Sequence, residues 1–367
     1  MKVFCAKKLM VFNTVLARLT LVIPTYNRQF FALRAMRYWS DRQGAIVHVI
    51  DGSEESLPSE KLTGLGANIN YHHWPVSMAE RISKIRSYIT TPDVALMGDD
   101  EFYLPSGLRD CISVLDNDNE LVAAIGRAVA FTPVDGRLFA DLCYPEQANH
   151  QLVQETAAER MLFHFSNYTP STIYSVVRAG AWKQAFESMA RKEFPVLGQI
   201  ELQFELSISC LGKSIVTPSL MWFRSNENPS EHSPDISLQI YGGLHFGEWW
   251  AKPQMSHERD EWLSIMSDVL SHGDGDGERR DLLDALYKAS EAYSKYFMIR
   301  RESRKRSIRR LLPHIPRSIK SVVRWLFHKF SNQNLPLMTV IRELQKSGIS
   351  VDLSEVNEIE TVILASQ

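Results

Sequence analysis

The apolar positions of the first hundred residues fall in short unbroken runs set between polar turns, a pattern that predicts strands buried on both faces. The run 19–23 is the first and is closed by Pro24. Residues 28–39 then place Phe30, Phe31, Leu33, Met36 and Tyr38 at roughly helical spacing. A second run, 46–50, ends in Asp51-Gly52-Ser53, whose glycine and small polar residues mark a sharp turn. Residues 69–73 form a weaker third strand. Ser77-Met78-Ala79-Glu80 has the form of a capping box, with Ser77 accepting from the Glu80 amide and the Glu80 side chain reaching back, and it predicts a helix to about Ile89. Pro92 blocks its continuation, 94–97 supplies the fourth strand and 121–131 the fifth.

Strands alternating with helices predict an α/β fold with an open, mostly parallel sheet and right-handed crossovers, in which ligands bind beyond the carboxyl ends of the strands. Asn27, Asp51 and Asp99 all fall at such ends. No G-x-G-x-x-G follows the first strand, which argues against a dinucleotide-binding enzyme. Beyond residue 150 the periodicity is helical over 151–165, 178–191 and 199–211, with a strand at 213–218. From 248 onward it is helical and charged, interrupted by the flexible Gly273-Asp274-Gly275-Asp276-Gly277. The expected division is an extension at 1–17, a main domain at 18–255 and a helical, basic region at 256–367.

With 367 residues, 44% of them hydrophobic, and 8 Trp, the chain can bury a large core, and whole-chain disorder is excluded. The four cysteines, at 5, 111, 143 and 210, show no C-x-x-C spacing, so neither a zinc knuckle nor a disulfide framework is expected and a reducing cytoplasm fits. Lys7, Lys8 and Arg18 interrupt the apolar residues of the first twenty positions, and no run of 18 apolar residues occurs. Any membrane contact is therefore expected to be peripheral, on the inner face of the cell membrane.

The net charge of −2 conceals an asymmetry: between Arg300 and Lys329 stand 11 Lys or Arg and one acid, Glu302. Residues 304–312 and 318–330 mix these cations with apolar side chains and Trp325. That composition suits an anionic membrane surface, and a helix pair packed on the main domain is the other reading. The aromatics are not spaced as a base-stacking platform, so no nucleic-acid partner is expected.

Asp99, Asp100 and Glu101 stand in a row behind the fourth strand. Three carboxylates at the tip of a buried strand repel one another strongly, and a divalent cation carrying a diphosphate would neutralise them. The plainer reading is a helix start, since Pro105 and Ser106 follow and an acid favours the positive end of a helix.

The segments L-V-I-P-T-Y-N-R (21–28), V-I-D-G-S (49–53) and M-G-D-D-E-F (97–102) together resemble the family 2 glycosyltransferases of GT-A fold, closest to a bacterial branch with cell-surface polysaccharide functions. The resemblance spans about 18–225. It implies that the nucleotide sugar, most expectedly a UDP-sugar, is held by Pro24, Thr25, Tyr26, Asn27, Arg28, Asp51 and Asp99, with Arg224 pinning the diphosphate. It implies that the D-x-D element is Asp99-Asp100-Glu101, holding Mn or Mg, with Glu in place of the usual last Asp. The family's general base lies about eleven residues before a glycine, which counts back from Gly212 to Glu201, although Ile200-Glu201 replaces the usual Glu-Asp. Glu205, one turn later, is the fallback.

The implied reaction is an inverting, metal-dependent sugar transfer to a hydroxyl of a glycan or lipid-linked acceptor. The contrasting reading, which the altered Glu-Asp element favours, is a catalytically silent GT-A scaffold or binding protein at the membrane surface. A nucleotidyltransferase is disfavoured by the absence of a glycine-rich, lysine-bearing first loop. His232 and His245 are candidate late metal ligands, and Trp249 and Trp250 candidate sugar-stacking rings. For His72, His73 and both tryptophans packing is the expected role.

Overall fold

The computed structural model describes residues 15–40, 44–194, 196, 198–227, 244–271, 276–311 and 335–366, with side chains in the long helix described from 277 to 302. The expectations on residues 1–14, His232, the glycine-rich joint at 273–275 and the side chains of the basic stretch 304–330 lie outside these residues.

Among the described residues ten strands form one open sheet flanked by helices: β1 (Leu19–Thr25), β2 (Ile46–Asp51), β3 (Ile69–His73), β4 (Asp93–Leu96), β5 (Phe102–Tyr103), β6 (Leu121–Val134), β7 (Arg137–Cys143), β8 (Val176–Arg178), β9 (Lys213–Ser225) and β10 (Leu335–Pro336). The order is β10-β7-β6-β8-β4-β1-β2-β3, with β9 beside β6 and β5 beside β9. The unbroken apolar runs behave as anticipated. β1 lies between β2 and β4, parallel to both, and β3 continues the parallel set beyond β2. The second half of the sheet is mixed: β8 runs antiparallel to β4 and β6, β7 antiparallel to β6, and β9 parallel to β6.

Register sets the functional edge. Thr25 pairs with Asp51 and Asp51 with His73, so the carboxyl ends of β1, β2 and β3 finish level. β9 runs on past Pro218, where the sequence suggested a stop. Leu220 N–H donates to the Ser350 carbonyl and Ser350 N–H to that of Pro218, a backbone exchange that carries the strand across the proline. The added residues pair Phe223 with Phe102 and Trp222 with Tyr103, bringing β9 alongside the acidic row.

Three cores result. On one face of the sheet the helices Gln29–Trp39 and Pro105–Asn117 bury Met36, Trp39, Leu108 and Ile112. On the other face Ile82, Trp182, Phe186, Phe204 and Ile208 come from the helices Met78–Ile85, Ala179–Ala185 and Gln199–Leu211 and the residue after the second of these. The third is helical and aromatic, with Phe246, Trp249, Trp250, Trp262 and Tyr293. Each fully buried side chain of this size is worth roughly 1.5–3 kcal/mol. Ser77 caps its helix by accepting from the Glu80 amide at 3.3 Å, one half of the expected box; the full box occurs at Thr156 and Glu159.

Helices from beyond residue 256 contribute to the first and third cores. Leu337, Val340, Ile341, Val356, Ile359 and Ile363, from the helices Leu337–Lys346 and Leu353–Ala365, belong to the first core. The helices Phe246–Ala251, Ser256–Leu270 and Asp276–Leu311 share the third core with Ala157–Ser166. A helical, charged pattern does not say which surface covers the apolar face of each helix.

Candidate active site

The acidic row follows β4 directly, and its members diverge. The Thr25 hydroxyl donates to Asp99 Oδ2 at 2.7 Å. Arg28 Nη2 lies 3.1 Å from Asp99 Oδ1 and in closer contact with Asp100 Oδ2. Burial pushes the Asp99 carboxyl up to about 6, with the Asp100 charge adding to the effect and Arg28 and Thr25 opposing it. Glu101 turns the other way and accepts from Trp222 Nε1 at 2.9 Å. Burial, then the Asp100 charge, pushes it up to about 8 against the pull of Arg224 and Trp222. Gly98 makes room for this fold-back, since a Cβ there would stand 2.9 Å from the Glu101 Cδ.

Asp51 is fully enclosed. Its Oδ1 accepts from the Ser53 amide at 2.8 Å and the Ser53 hydroxyl at 2.5 Å, and its Oδ2 from Gln29 at 2.8 Å and the Tyr71 hydroxyl at 2.5 Å. Those four donors fill the capacity of a carboxylate. Asp51 therefore organises the edge in this state, drawing the turns after β1 and β2 together. Asn27 N–H donates to the Ser53 hydroxyl at 2.8 Å, with Asn27 at φ 54°, a left-handed geometry that Asn tolerates better than most residues. Pro24 and Tyr26 lie half-buried in this turn. Beneath it Arg81 Nη1 donates to the Thr25 and Ile50 carbonyls at 2.7 and 2.9 Å.

Glu201 lies in the first turn of the helix Gln199–Leu211 and is partly accessible. The Tyr168 hydroxyl donates to its Oε1. Burial pushes it up to about 7, with Glu205 adding and Tyr168 and Arg224 opposing. Glu205 has no exposed surface. It accepts from the amides of Ser171, Thr172 and Ile173, each at 3.0 Å, from the Thr172 hydroxyl at 2.5 Å, and pairs with His164 Nε2 at 2.7 Å. Burial alone would raise its pKa, but the His164 contact and this ring of donors hold it below the ordinary value. His150 backs the ensemble, 2.6 Å from His164.

Aromatic rings link the two acidic sites. Tyr174 stacks on Trp222 with centroids 4.3 Å apart, and Tyr144 also stacks on Trp222, at 5.7 Å. Burial, followed by the charges of Glu201 and Glu101, drives the Tyr174 hydroxyl far above its ordinary value. Arg224 stands in the same field. Its burial disfavours the charge, but Tyr144, Cys143 and Glu101 outweigh this and hold it firmly protonated. One electrostatic cluster thus joins Glu101, Arg224 and Glu201.

No family model matches the chain. No curated protein matches it either. Among solved structures, crystal structures of S. aureus TarS 1-349 align with it: one is 13% identical, covering 78% of this chain and 91% of that one, with a TM-score of 0.43. The complex of that protein with UDP-GlcNAc is 11% identical over 78% and 92%, TM-score 0.44, and the complex with UDP 15% identical over 78% and 91%, TM-score 0.41. Likeness at this level says nothing of the chemistry, for which the side-chain geometry has to speak.

Among the described residues no group of three or more His, Cys, Asp or Glu is placed to hold a metal ion. Asp99 and Asp100 nonetheless fit one as a pair, because an oxygen of each converges on a single positively charged atom, Arg28 Nη2. Two carboxylates with substrate phosphates are a common Mg set. Glu101 does not converge with them. His245 begins the helix Phe246–Ala251 and packs on Phe297 at 5.0 Å; His72 pairs with His48 at 2.9 Å and His73 with the Ser53 carbonyl at 2.8 Å. Trp249 and Trp250 are core residues. No helix among the described residues is long and apolar enough to cross a membrane.

Sequence reasoning missed Trp222, Tyr168, Tyr174 and Tyr144. Their roles rest on strand pairing and loop placement, and the only local mark is the left-handed φ of 49° at Tyr144, invisible in sequence.

Proposed function

We propose that this protein is an inverting glycosyltransferase that moves a sugar from a nucleotide-sugar donor to a hydroxyl of a glycan or lipid-linked acceptor in bacterial cell-surface polysaccharide synthesis. The observation that carries this reading is the convergence of three strand ends, joined by the Thr25–Asp99 and Asn27–Ser53 hydrogen bonds, with a partly accessible carboxylate, Glu201, and a cation, Arg224, in the adjoining cluster.

The donor's base and ribose are assigned to the turn of Pro24, Thr25, Tyr26 and Asn27, which Asp51 and Ser53 hold in shape. Asp99 and Asp100 would hold Mn or Mg, which when bound supplies positive charge for the departing diphosphate. Arg224 adds a fixed guanidinium able to donate bidentately to phosphate oxygens. Glu201, pushed up to about 7, is poised to take the proton of the attacking hydroxyl near neutral pH. The Tyr168 hydroxyl orients the carboxylate, leaving its second oxygen for the acceptor. A single displacement inverts the anomeric centre. Glu205 is assigned no chemistry, since its acceptor sites are taken.

The test is a panel of nucleotide sugars screened by thermal shift with and without Mn, then assayed for release of the nucleoside diphosphate. A UDP-sugar is expected to raise the melting temperature and to turn over, and Asp100→Ala to abolish turnover in a folded protein. Unchanged turnover in that variant would remove the role of the acid pair. Binding without turnover for every donor and acceptor would leave the silent scaffold.

A further inference from the structure

Arg28, Arg34 and Arg81 lie around the turns that carry Asp99 and Asp100, and they are held in different ways. Arg81 is locked by two backbone carbonyls, those of Thr25 and Ile50. Arg34 is locked by the Asp100 carbonyl at 3.1 Å and by both oxygens of Glu227, with its guanidinium over the rings of Phe31 and Phe102. Arg28 has no such anchor. Its Nη2 meets Asp99 and Asp100 by proximity, while neither Nε nor Nη2 makes a directed hydrogen bond among the described residues. Its side chain is 20% exposed, at the residue preceding the helix Gln29–Trp39. Apart from charge, its guanidinium lies over the Phe31 ring with the centroid 5.2 Å away, and among the described residues the side chain can leave without breaking a backbone tie.

We propose that Arg28 is a built-in counter-cation of the Asp99–Asp100 pair: a divalent metal must displace it, and the freed guanidinium passes to the diphosphate, so that metal and nucleotide bind cooperatively. This rests on the sugar-transfer reading of the site. The physical reason is that one point between two carboxylate oxygens cannot hold both a guanidinium nitrogen and a divalent ion, whose like charges repel at such range. A second ligand that gives Arg28 an anionic partner removes the cost of evicting it. Arg34, tied to the Asp100 carbonyl, keeps the row in place meanwhile.

The experiment is calorimetric titration of Mn into the full-length protein, its Arg28→Gln variant and its Arg28→Lys variant, each with and without UDP, with circular dichroism to verify folding. Without nucleotide, Arg28→Gln is expected to bind Mn about tenfold or more tightly than the parent, and Arg28→Lys to remain as weak as the parent. With UDP, the parent and Arg28→Lys gain affinity for Mn, and Arg28→Gln gains much less. Equal or weaker Mn binding by Arg28→Gln overturns the proposal. UDP binding and turnover that need no Mn overturn it too, while leaving sugar transfer standing. Tighter Mn binding in Arg28→Gln with no nucleotide bound by any form upholds the counter-cation role but removes the coupling and the sugar-transfer reading together.

Discussion

Glu201 and Glu205 stand one turn apart on the same helix and meet opposite environments: among the described residues Tyr168 alone donates to the first, while the second is saturated by three amides, a hydroxyl and an imidazole. The difference separates a carboxylate available for proton transfer from one spent on shape. By holding the amides 171–173, Glu205 fixes the loop from which Tyr168 reaches Glu201 and Tyr174 reaches Trp222.

Glu201→Gln is expected to lower the transfer rate by roughly 10²–10⁴-fold while leaving UDP affinity unchanged. In the parent, the rate is expected to rise with pH and level above about 7, where Glu201 would be ionised. A pH profile of kcat settles it: an identical acid limb in the variant would show that another group titrates.

Glu205→Gln acts on the fold first. It sets an amide against three backbone donors, and the expected loss is about 3 kcal/mol or more by urea denaturation. Because the folded-state pKa of Glu205 is lowered, its stabilisation is present above the ordinary carboxylate range and fades as pH falls through the folded value. A fully stable Glu205→Gln would mean that the 171–173 loop is held by something else.

Glu101 works with the reverse sign. Its folded-state pKa is raised to about 8, so its contribution is intact below the ordinary carboxylate range and lost as pH climbs toward 8. Without ligands the parent should weaken between pH 5.5 and 8, and Glu101→Gln, whose amide oxygen still accepts from Trp222, should weaken less, by on the order of a few kcal/mol at most. Urea midpoints that fall in parallel for both proteins would refute this.

Gly52→Ala should disturb the nucleotide turn. A Cβ at this position would lie 2.6 Å from the Arg81 Cζ, and that guanidinium, bound to two carbonyls, cannot yield without losing them. The expected cost is about 1–3 kcal/mol, with weaker UDP binding in thermal shift. Wild-type values for both would show that Arg81 has room to retreat.

The carboxyl-terminal helices should prove indispensable. Glu355 accepts from the Ser106 amide at 3.0 and 3.1 Å, the Ser106 hydroxyl at 2.6 Å and Arg109 at 3.1 Å, tying the last helix to the start of Pro105–Asn117. Chains cut after residue 330 should be insoluble or molten, because Ile341, Val356, Ile359 and Ile363 leave a bare core surface. A cooperative melt from such a chain would show that residues before 331 fold as a unit by themselves.

The strands that build the edge were readable from unbroken apolar runs, and Asn27, Asp51 and Asp99 were placed at it because parallel strands deliver their carboxyl ends to one side. The stop expected at Pro218 left Trp222 outside the expected strand, although Arg224 was already named for the site; Ser350 takes up the Pro218 carbonyl and the Leu220 amide and so carries the strand past the proline. The return of 337–363 to the first core was hidden for a related reason: an apolar stripe does not name its partner.

What the sequence determined by itself was the placement of chemical groups along the chain and their delivery to one rim of a sheet, for this follows from local hydrophobic period and the handedness of crossovers. Tertiary structure alone decided their states. Glu101 is held by a tryptophan 121 residues away, Glu205 by amides 32 to 34 residues before it, and Asp99 and Asp100 by one arginine in an earlier turn. A carboxylate's charge depends on burial and on the donors that reach it, and those are set only when distant segments pack.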